Sequence, residues 1–564
     1  MIGKPLALAA SVASLLFFGI PAGAEKPFLR SPLDIPLTLS GNFGELRRNH
    51  FHSGVDFKTQ GRTGLPVHAV DDGYVARASV SPWGFGRAVY VVHPSTGLTT
   101  VYGHLEAFNP EIDKRVRDEQ YRRETFTIDL EFGPDEIPVK RGDVIARSGN
   151  AGSSGGPHLH FDVRDTASED PLDPLAYYRD RVADKVAPSA RLLALYPAGG
   201  EVEGSAVFPS RVTLDPKSPA PTFHASGRVI PGIKAYDRMS GTSNIYGIKH
   251  LSLKIDGKEV YRRTIDRFGF DYTRGVHTLV DYPDLVNSNS WVMTTHIPPS
   301  RPLGDMEWSS LPDGILDIEP GKTYRGEWVM EDEHGNRAIQ PFTIVGVKGE
   351  VVHGEDPKGA LLEWNEHHVV SSPDEDIVVD IPNGALYDDI RFDFEVADDS
   401  RFVTPLYSVG DPGVPLAKGV ELRIKLPSDT LLHKRHYCLV SVNPAGKMSA
   451  VGSNYSRGSI VGKVTSWGNY AVTTDRRPPV ITPQRPAGWR KAGKISLKIT
   501  DNLSGVQTFA GTLDGKFALF ELDGKTATLS YDFADGRHDR NRPHDVRVVV
   551  TDACGNTSVY EGKY

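Results

Sequence analysis

Cysteine is nearly absent: 564 residues hold only 2, Cys438 and Cys554. Two cannot staple a disulfide-dense scaffold, and their spacing says nothing about whether they meet; two unpaired buried thiols are at least as good an expectation as a bridge. Net charge is also small, 64 Lys+Arg against 72 Asp+Glu, which argues against a general nucleic-acid or anionic-membrane partner. After the first 24 residues no apolar run approaches the roughly 20 residues that a membrane span needs. Glycine shows no three-residue period, so collagen is excluded, and apolar and aromatic residues run along the whole chain, which excludes wholesale disorder. What is plentiful is glycine (56) and proline (41), the mark of many short strands joined by turns. At about 150 residues per domain the length predicts roughly four domains.

Residues 1–24 read as a secretion signal. Lys4 gives a positive start, Pro5 to Ile20 an apolar core too short to span a bilayer, and Ala22-Gly23-Ala24 a small-residue cleavage site. The protein is therefore expected outside the cytoplasm, in the periplasm or associated with the cell envelope, and without a membrane span. The expected fold is all-β and multidomain: an antiparallel head over 25–183, a β-sandwich module with an insertion over 188–347, a β-rich module over 349–475, and an Ig-like β-sandwich over 480–564.

Within the head, two apolar pairs read as hairpins: Val67–Val70 with Tyr74–Ala78 around Asp71-Asp72-Gly73, and Val89–His93 with Leu98–Tyr102 around Pro94 to Gly97. The charged segment from Pro110 to Glu124 reads as a short helix with a solvated face. Further on, three turn motifs occur twice in one order. Asp237 to Gly241, Ile255 to Lys258 and Asp332 to Asn336 recur as Asp501 to Gly505, Leu513 to Lys516 and Asp552 to Asn556. That repetition predicts a duplicated sandwich module, the first copy carrying a long insertion. None of these Asp-rich turns has the spacing of a calcium loop, so they read as turn chemistry.

The chemistry gathers in the head. His52-Ser53-Gly54-Val55-Asp56 places an imidazole and a carboxylate where a bend at Gly54 can join them, although the pattern alone is weak. In His158-Leu159-His160 the histidines lie two apart, on the same side of an extended strand, while Leu159 and Phe161 pack on the other. The flexible approach Gly149 to Gly156 precedes them, and a third histidine, His104, follows a strand. His50 shares a face with His52 if that strand extends so far. Gly152 to Gly156 formally fits G-x-S-x-G, but Pro157 leads into a strand rather than the helix a nucleophile elbow requires. No phosphate loop and no His-Glu-x-x-His helix is present.

Together the HSGVDF, PVHAVDDGYV, YGHL and SGNAGSSGGPHLHF segments, over about residues 40–165, resemble the lysostaphin or LytM-type zinc endopeptidases. The resemblance implies one Zn2+ held by His52, Asp56 and His160, with His104 and His158 as catalytic, non-ligating histidines. Strand geometry does not separate His158 from His160; that division comes from the family. Peptidoglycan peptides are the implied substrate, and protein partners in the envelope the implied contacts of the C-terminal modules. Two other functions stay open on the sequence. One is a non-catalytic scaffold that activates another wall hydrolase, as degenerate relatives with lost ligands do; the other is a zinc peptidase acting on envelope proteins.

Overall fold

The computed structural model describes residues 26–215, 219–349 and 359–564; the expected secretion signal lies outside them. Strands dominate throughout, and the chain is an all-β protein of several sheets, with few helices. No helix among the described residues is long and apolar enough to cross a membrane.

The head is built on a nine-stranded sheet. Along its main path run Leu39–Gly41, Val55–Lys58, His158–Asp165, Leu98–Gly103, Arg87–His93, Gly73–Val80 and Ile128–Glu131. The His158–Asp165 strand is the pivot, since its register sets His160 opposite Asp56 on one side and Gly103 on the other. Side-chain alternation then divides its residues between two environments, with Leu159, Phe161 and Val163 sealed in the core.

The second expected hairpin forms, with His93 paired to Leu98. The first does not. Pro66–His68 pairs with Val144–Arg147 in a separate three-stranded sheet, while Gly73–Val80 pairs with Arg87–His93. The cause lies in the turn: Asp71 accepts from Arg141 Nε and Nη2 at 3.0 and 2.5 Å, and Asp72 accepts from the Arg141 backbone N–H at 2.8 Å. These carboxylates bind a neighbouring loop instead of closing a tight turn.

The charged segment is a helix, Pro110–Arg123, capped by the Asn109 side chain on Ile112 N. Ile112, Val116 and Gln120 face inward. Its outer face is only partly solvated, because Tyr121 bonds Asp535 and stacks edge-on with Phe517, and Arg537 pairs with Asp118 at 2.6 Å.

Residues 189–346 form a ten-stranded sheet, which includes one parallel pair between Thr222–Tyr236 and Arg337–Gly346. A single apolar core runs from the head into this sheet. Residues 360–474 make two five-stranded sheets and a two-stranded ribbon around their own core, and 480–563 two four-stranded sheets around another. Cys438 and Cys554 are both buried thiols, and both belong to one small cluster at the junction of these last two units.

The last unit folds back onto the head. Arg87 pairs with Glu521 at 2.6 Å, Lys525 bonds the Asn150 carbonyl, and Gly524 lies against the Trp83 indole, which a side chain there would have to displace.

Candidate metal centre and cleft

Gly54 is where the chain bends between His52 and the Val55–Lys58 strand. A Cβ there would lie 2.3 Å from the Phe161 carbonyl, so only glycine permits this approach to the pivot strand. The bend brings His52 Nε2 to 3.1 Å from Asp56 Oδ1. Across the sheet, His160 Nδ1 lies 3.0 Å from the same oxygen and 3.1 Å from His52 Nε2. These three donor atoms thus form a nearly equilateral triangle, on side chains that are all buried.

Hydrogen bonding on the far side of each ring decides what the triangle presents. His52 Nδ1 is 2.7 Å from the Asn42 carbonyl, which can only accept, so Nδ1 carries the hydrogen of the neutral ring and Nε2 offers a lone pair. His160 Nε2 is 2.6 Å from Asp162 Oδ1, so its neutral ring likewise turns an Nδ1 lone pair inward. Two nitrogen lone pairs and a carboxylate oxygen converge on one point, an arrangement that calls for a cation. A tetrahedral zinc with bonds of about 2.0–2.1 Å has donor-to-donor edges of about 3.3 Å, close to those found here. The donor set fits zinc, and the carboxylate behind His160 is the outer partner that such a ligand usually has.

The carboxylates of the site are held in their charged form, and without a metal the balancing charge is a proton on His160 that a bound cation would displace. Burial alone would raise the Asp56 carboxyl, but His52, His158 and His160 outweigh it and hold the group well below the usual carboxylate range. Burial would lower His160, yet Asp162 and Asp56 together push it up. Asp162 is fully buried; burial would raise its pKa, but His160 and then Arg164 keep it low, and Arg164 donates to it at 3.0 and 2.6 Å.

The two remaining histidines lie beside the triangle. His158 Nε2 is 3.3 Å from Asp56 Oδ1, and its Nδ1 is 2.8 Å from the Gly156 carbonyl and 3.2 Å from Ser154 Oγ. His104 leaves its strand at a left-handed φ of 57°, its Nδ1 held 2.9 Å from the Ala151 carbonyl. The two rings meet edge to face, centroids 4.8 Å apart. Both are anchored by a carbonyl at Nδ1, so a ring that carries its hydrogen there turns an Nε2 lone pair into the cleft. Burial first, then the neighbouring His160 and His158, pushes His104 down to about 3, which keeps it neutral at ordinary pH.

All five histidines and aspartates singled out from the sequence therefore come together, lining a cleft of about 1180 Å³. His50 also lines it, although residues 50–54 are not a strand. Sequence reasoning missed Asp162, Arg164, Ser154, Phe85 and Arg47. Phe85 lies against His160 with centroids 4.7 Å apart, and Arg47 approaches Asp56 Oδ2 at 3.5 Å. A two-residue offset from His160 was the one signal for Asp162.

Part of the cleft wall comes from outside the head. Asn244, Phe270 and Thr273 line it, the last two from the insertion expected in the first module copy. Thr273 Oγ1 accepts from Phe51 N at 3.0 Å. Asn42 and Gly247 exchange two 2.9 Å bonds, so the residue whose carbonyl holds His52 is itself fastened to the second sheet.

Residues 50–121 match peptidase family M23. The chain carries an M23 peptidase domain. Residues 359–475 match a second description, a Zu5-like domain. Among curated proteins, the M23 region is similar to an uncharacterized metalloprotease of Haemophilus influenzae, 34% identical over 143 residues, covering 24% of this chain and 25% of that protein. It is also similar to the peptidoglycan DD-endopeptidase ShyC of Vibrio cholerae, 31% identical over 145 residues, covering 24% and 27% respectively. The chain thus spans about a quarter of the length of the curated relatives it matches. Among solved structures, the catalytic domain of lysostaphin from Staphylococcus simulans matches at 25% identity, covering 24% of this chain and 89% of that one, with a TM-score of 0.19. His158 and His160 lie beyond the matched 50–121 segment of the M23 domain, and the sheet register returns them to it.

Proposed function

We propose that this protein is an exported zinc-dependent endopeptidase that hydrolyses peptide bonds in the cross-links or stem peptides of peptidoglycan. The observation that carries the proposal is the convergence of the lone pairs of His52 Nε2 and His160 Nδ1 with Asp56 Oδ1, beside two imidazoles anchored to carbonyls. In this reading His52, Asp56 and His160 hold one zinc, which supplies Lewis acidity and lowers the pKa of water to about 7.

The chain's own residues perform the rest. Asp162 and the Asn42 carbonyl fix the tautomers that make His160 and His52 ligands. The His158 ring, anchored at Nδ1, accepts the proton of the attacking water at Nε2 and returns it to the leaving amine. His104, 4.8 Å away ring to ring and likewise anchored at Nδ1, turns an Nε2 lone pair that accepts a hydrogen bond from the attacking water and orients it, and its left-handed backbone pins the ring there. The cleft, at about 1180 Å³, exceeds the usual volume of a small-molecule pocket and suits an extended peptide.

The wall substrate draws its support from relatives named as peptidoglycan endopeptidases, and export from the charged, apolar and small-residue segments of residues 1–24. The scaffold alternative is disfavoured because all five site residues are present. Purified peptidoglycan, incubated with the full protein with and without chelator and with His160→Ala, tests the proposal by mass spectrometry of released peptides. Chelator-sensitive release that His160→Ala lacks is expected. Absence of any release from metal-loaded protein refutes it, and the fragments name the bond.

A further inference from the structure

A buried arginine without a carboxylate partner lies outside the zinc cleft. Arg263, on the Lys258–Thr264 strand, is 1% exposed, so its charge is withdrawn from water. Among the described residues its guanidinium makes one hydrogen bond, from Nη2 to Met293 Sδ at 3.0 Å, and a thioether is a weak acceptor. Nε and Nη1 are buried with no partner among those residues. Glu307 stands opposite Arg263 in the strand register, but it accepts from the Tyr261 hydroxyl at 2.7 Å and makes no ion pair with Arg263. Burial outweighs Tyr261 and Arg263 and pushes the Glu307 carboxyl up to about 7, which leaves it only a partial counter-charge. A buried cation with orphaned donors is costly unless something else satisfies it.

Arg263 also lines a cavity of about 140 Å³ where the head meets the second sheet. Met293 lines the same cavity, and its bond to Nη2 places the guanidinium end of the side chain at the wall. Gly44 and Leu46 close the cavity from the head, Ile248, Ile265 and Trp291 from the sheet. Glu45, the one acid on the lining, gives its carboxylate to Arg47 at 3.3 Å. One unsatisfied cation on a largely apolar wall asks for a ligand with one negative charge and a compact apolar body. The volume is close to the ~150 Å³ that admits benzene, which sets the enclosed part of the ligand at about six heavy atoms.

We propose that Arg263 anchors the carboxylate of a small apolar acid in this cavity. The planar guanidinium fork matches the two carboxylate oxygens, and such charge-assisted bonds are strong. A free short-chain acid carries this chemistry, and so does the C-terminus of a peptide that ends in a small apolar residue. The ligand sits behind the loop that holds the zinc triangle: Gly44 N donates to the His52 carbonyl at 2.9 Å, and His52 N to the Glu45 carbonyl at 3.0 Å. Filling the cavity therefore braces the backbone of His52 from the rear, and the binding itself does not depend on the proposed hydrolysis.

The test titrates full-length protein by calorimetry with isobutyrate and with N-acetylalanine, which separate a free acid from a peptide C-terminus, and with their neutral amides. At least one acid is expected to bind about 10–100-fold more tightly than its amide, the preference that hydrogen bonds to a charged group confer. Arg263→Met, which keeps an unbranched stem and removes the charge, should abolish that preference. Hydrogen exchange over residues 44–52 should slow about threefold when the better acid saturates the site. Absence of binding by either acid at ~10 mM, or equal binding of acid and amide, overturns the proposal on the wild type alone, whatever the variant does. An unchanged preference in folded Arg263→Met overturns it as well, since the acid then binds elsewhere, and unchanged exchange overturns the brace.

Discussion

Replacing Asp162 by asparagine should uncouple the zinc triangle from the fold without touching a ligand. The fully buried carboxylate has two oxygens with separate duties. Oδ1 accepts from His160 Nε2 at 2.6 Å and from Ser53 Oγ at 3.1 Å, while Oδ2 accepts twice from Arg164, at 3.0 and 2.6 Å. An amide has one oxygen. If it stays on His160, the amide N–H faces the Arg164 donors and leaves the buried guanidinium only the exposed Glu169, at 3.5 Å, as a charge partner, which costs about 3 kcal/mol of stability. If it turns to Arg164, N–H faces N–H at His160, and the ring escapes by moving its hydrogen to Nδ1, which removes the inward lone pair. Either way zinc affinity should fall about 10–100-fold, or about 1.4–2.7 kcal/mol. Competition against a fluorescent zinc chelator measures the affinity, and urea unfolding of the metal-free protein measures the stability. Ser53→Ala, which removes one neutral donor from the same oxygen, should cost only about 1 kcal/mol. If Asp162→Asn held zinc within twofold of wild type, with unchanged metal-free stability, the reasoning about this carboxylate would be refuted.

Three further outcomes are expected. His104→Ala should keep its zinc, measured by atomic absorption, while peptidoglycan turnover drops about 10²–10⁴-fold; full activity would remove His104 from the proposed mechanism. His277 is buried and bonded to the Arg48 carbonyl at 2.8 Å; burial, only partly offset by that bond, pushes it down to about 4. Between that value and about 6.5 the unfolded chain binds the extra proton, so its contribution is full above 6.5 and is lost as pH falls towards 4. Urea unfolding should show His277→Gln losing about 2 kcal/mol less than wild type between pH 7 and pH 5. Gly152 has a φ of 66°, and a Cβ there would meet Gly84 O and Gly86 N at 2.4 Å, so Gly152→Ala should lower stability by at least about 1–2 kcal/mol in thermal melts and reduce turnover by displacing the Ser153–Ser154 loop.

The shared side of His158 and His160 and the bend at Gly54 were legible because they express local geometry, whereas His104 and the division of roles entered only through the family resemblance. His158 and His160 share a side by alternation alone, and Gly54 marks the bend directly. Long-range pairings were not legible. Nothing near Asn42 signals that Gly247 will fasten it, because that bond joins two sheets. The Asp71-Asp72-Gly73 segment reads as a tight turn until the Arg141 side chain and backbone claim both carboxylates. The charged helix was foreseen, but its docked face was not, since its partner Asp535 lies over four hundred residues away. The repeated Asp turns were visible as a sequence pattern, yet nothing local to Asp184 or Asp475 marks that the fold brings them to the carboxylates of Asp332 and Asp552 respectively.

The salt bridge between Arg87 and Glu521 closes a loop of 434 residues. A ribosome adds about 5–20 residues per second, so about 20–90 s separate the synthesis of these two partners. Throughout that interval the growing chain holds all five site residues, but nothing rests on Trp83 or holds the Asn150 carbonyl. A protein cut short before Glu521 keeps the five site residues and loses the contacts of the last unit with Arg87, Trp83 and Asn150. The order of manufacture itself thus delays this closure until almost the whole chain has been made.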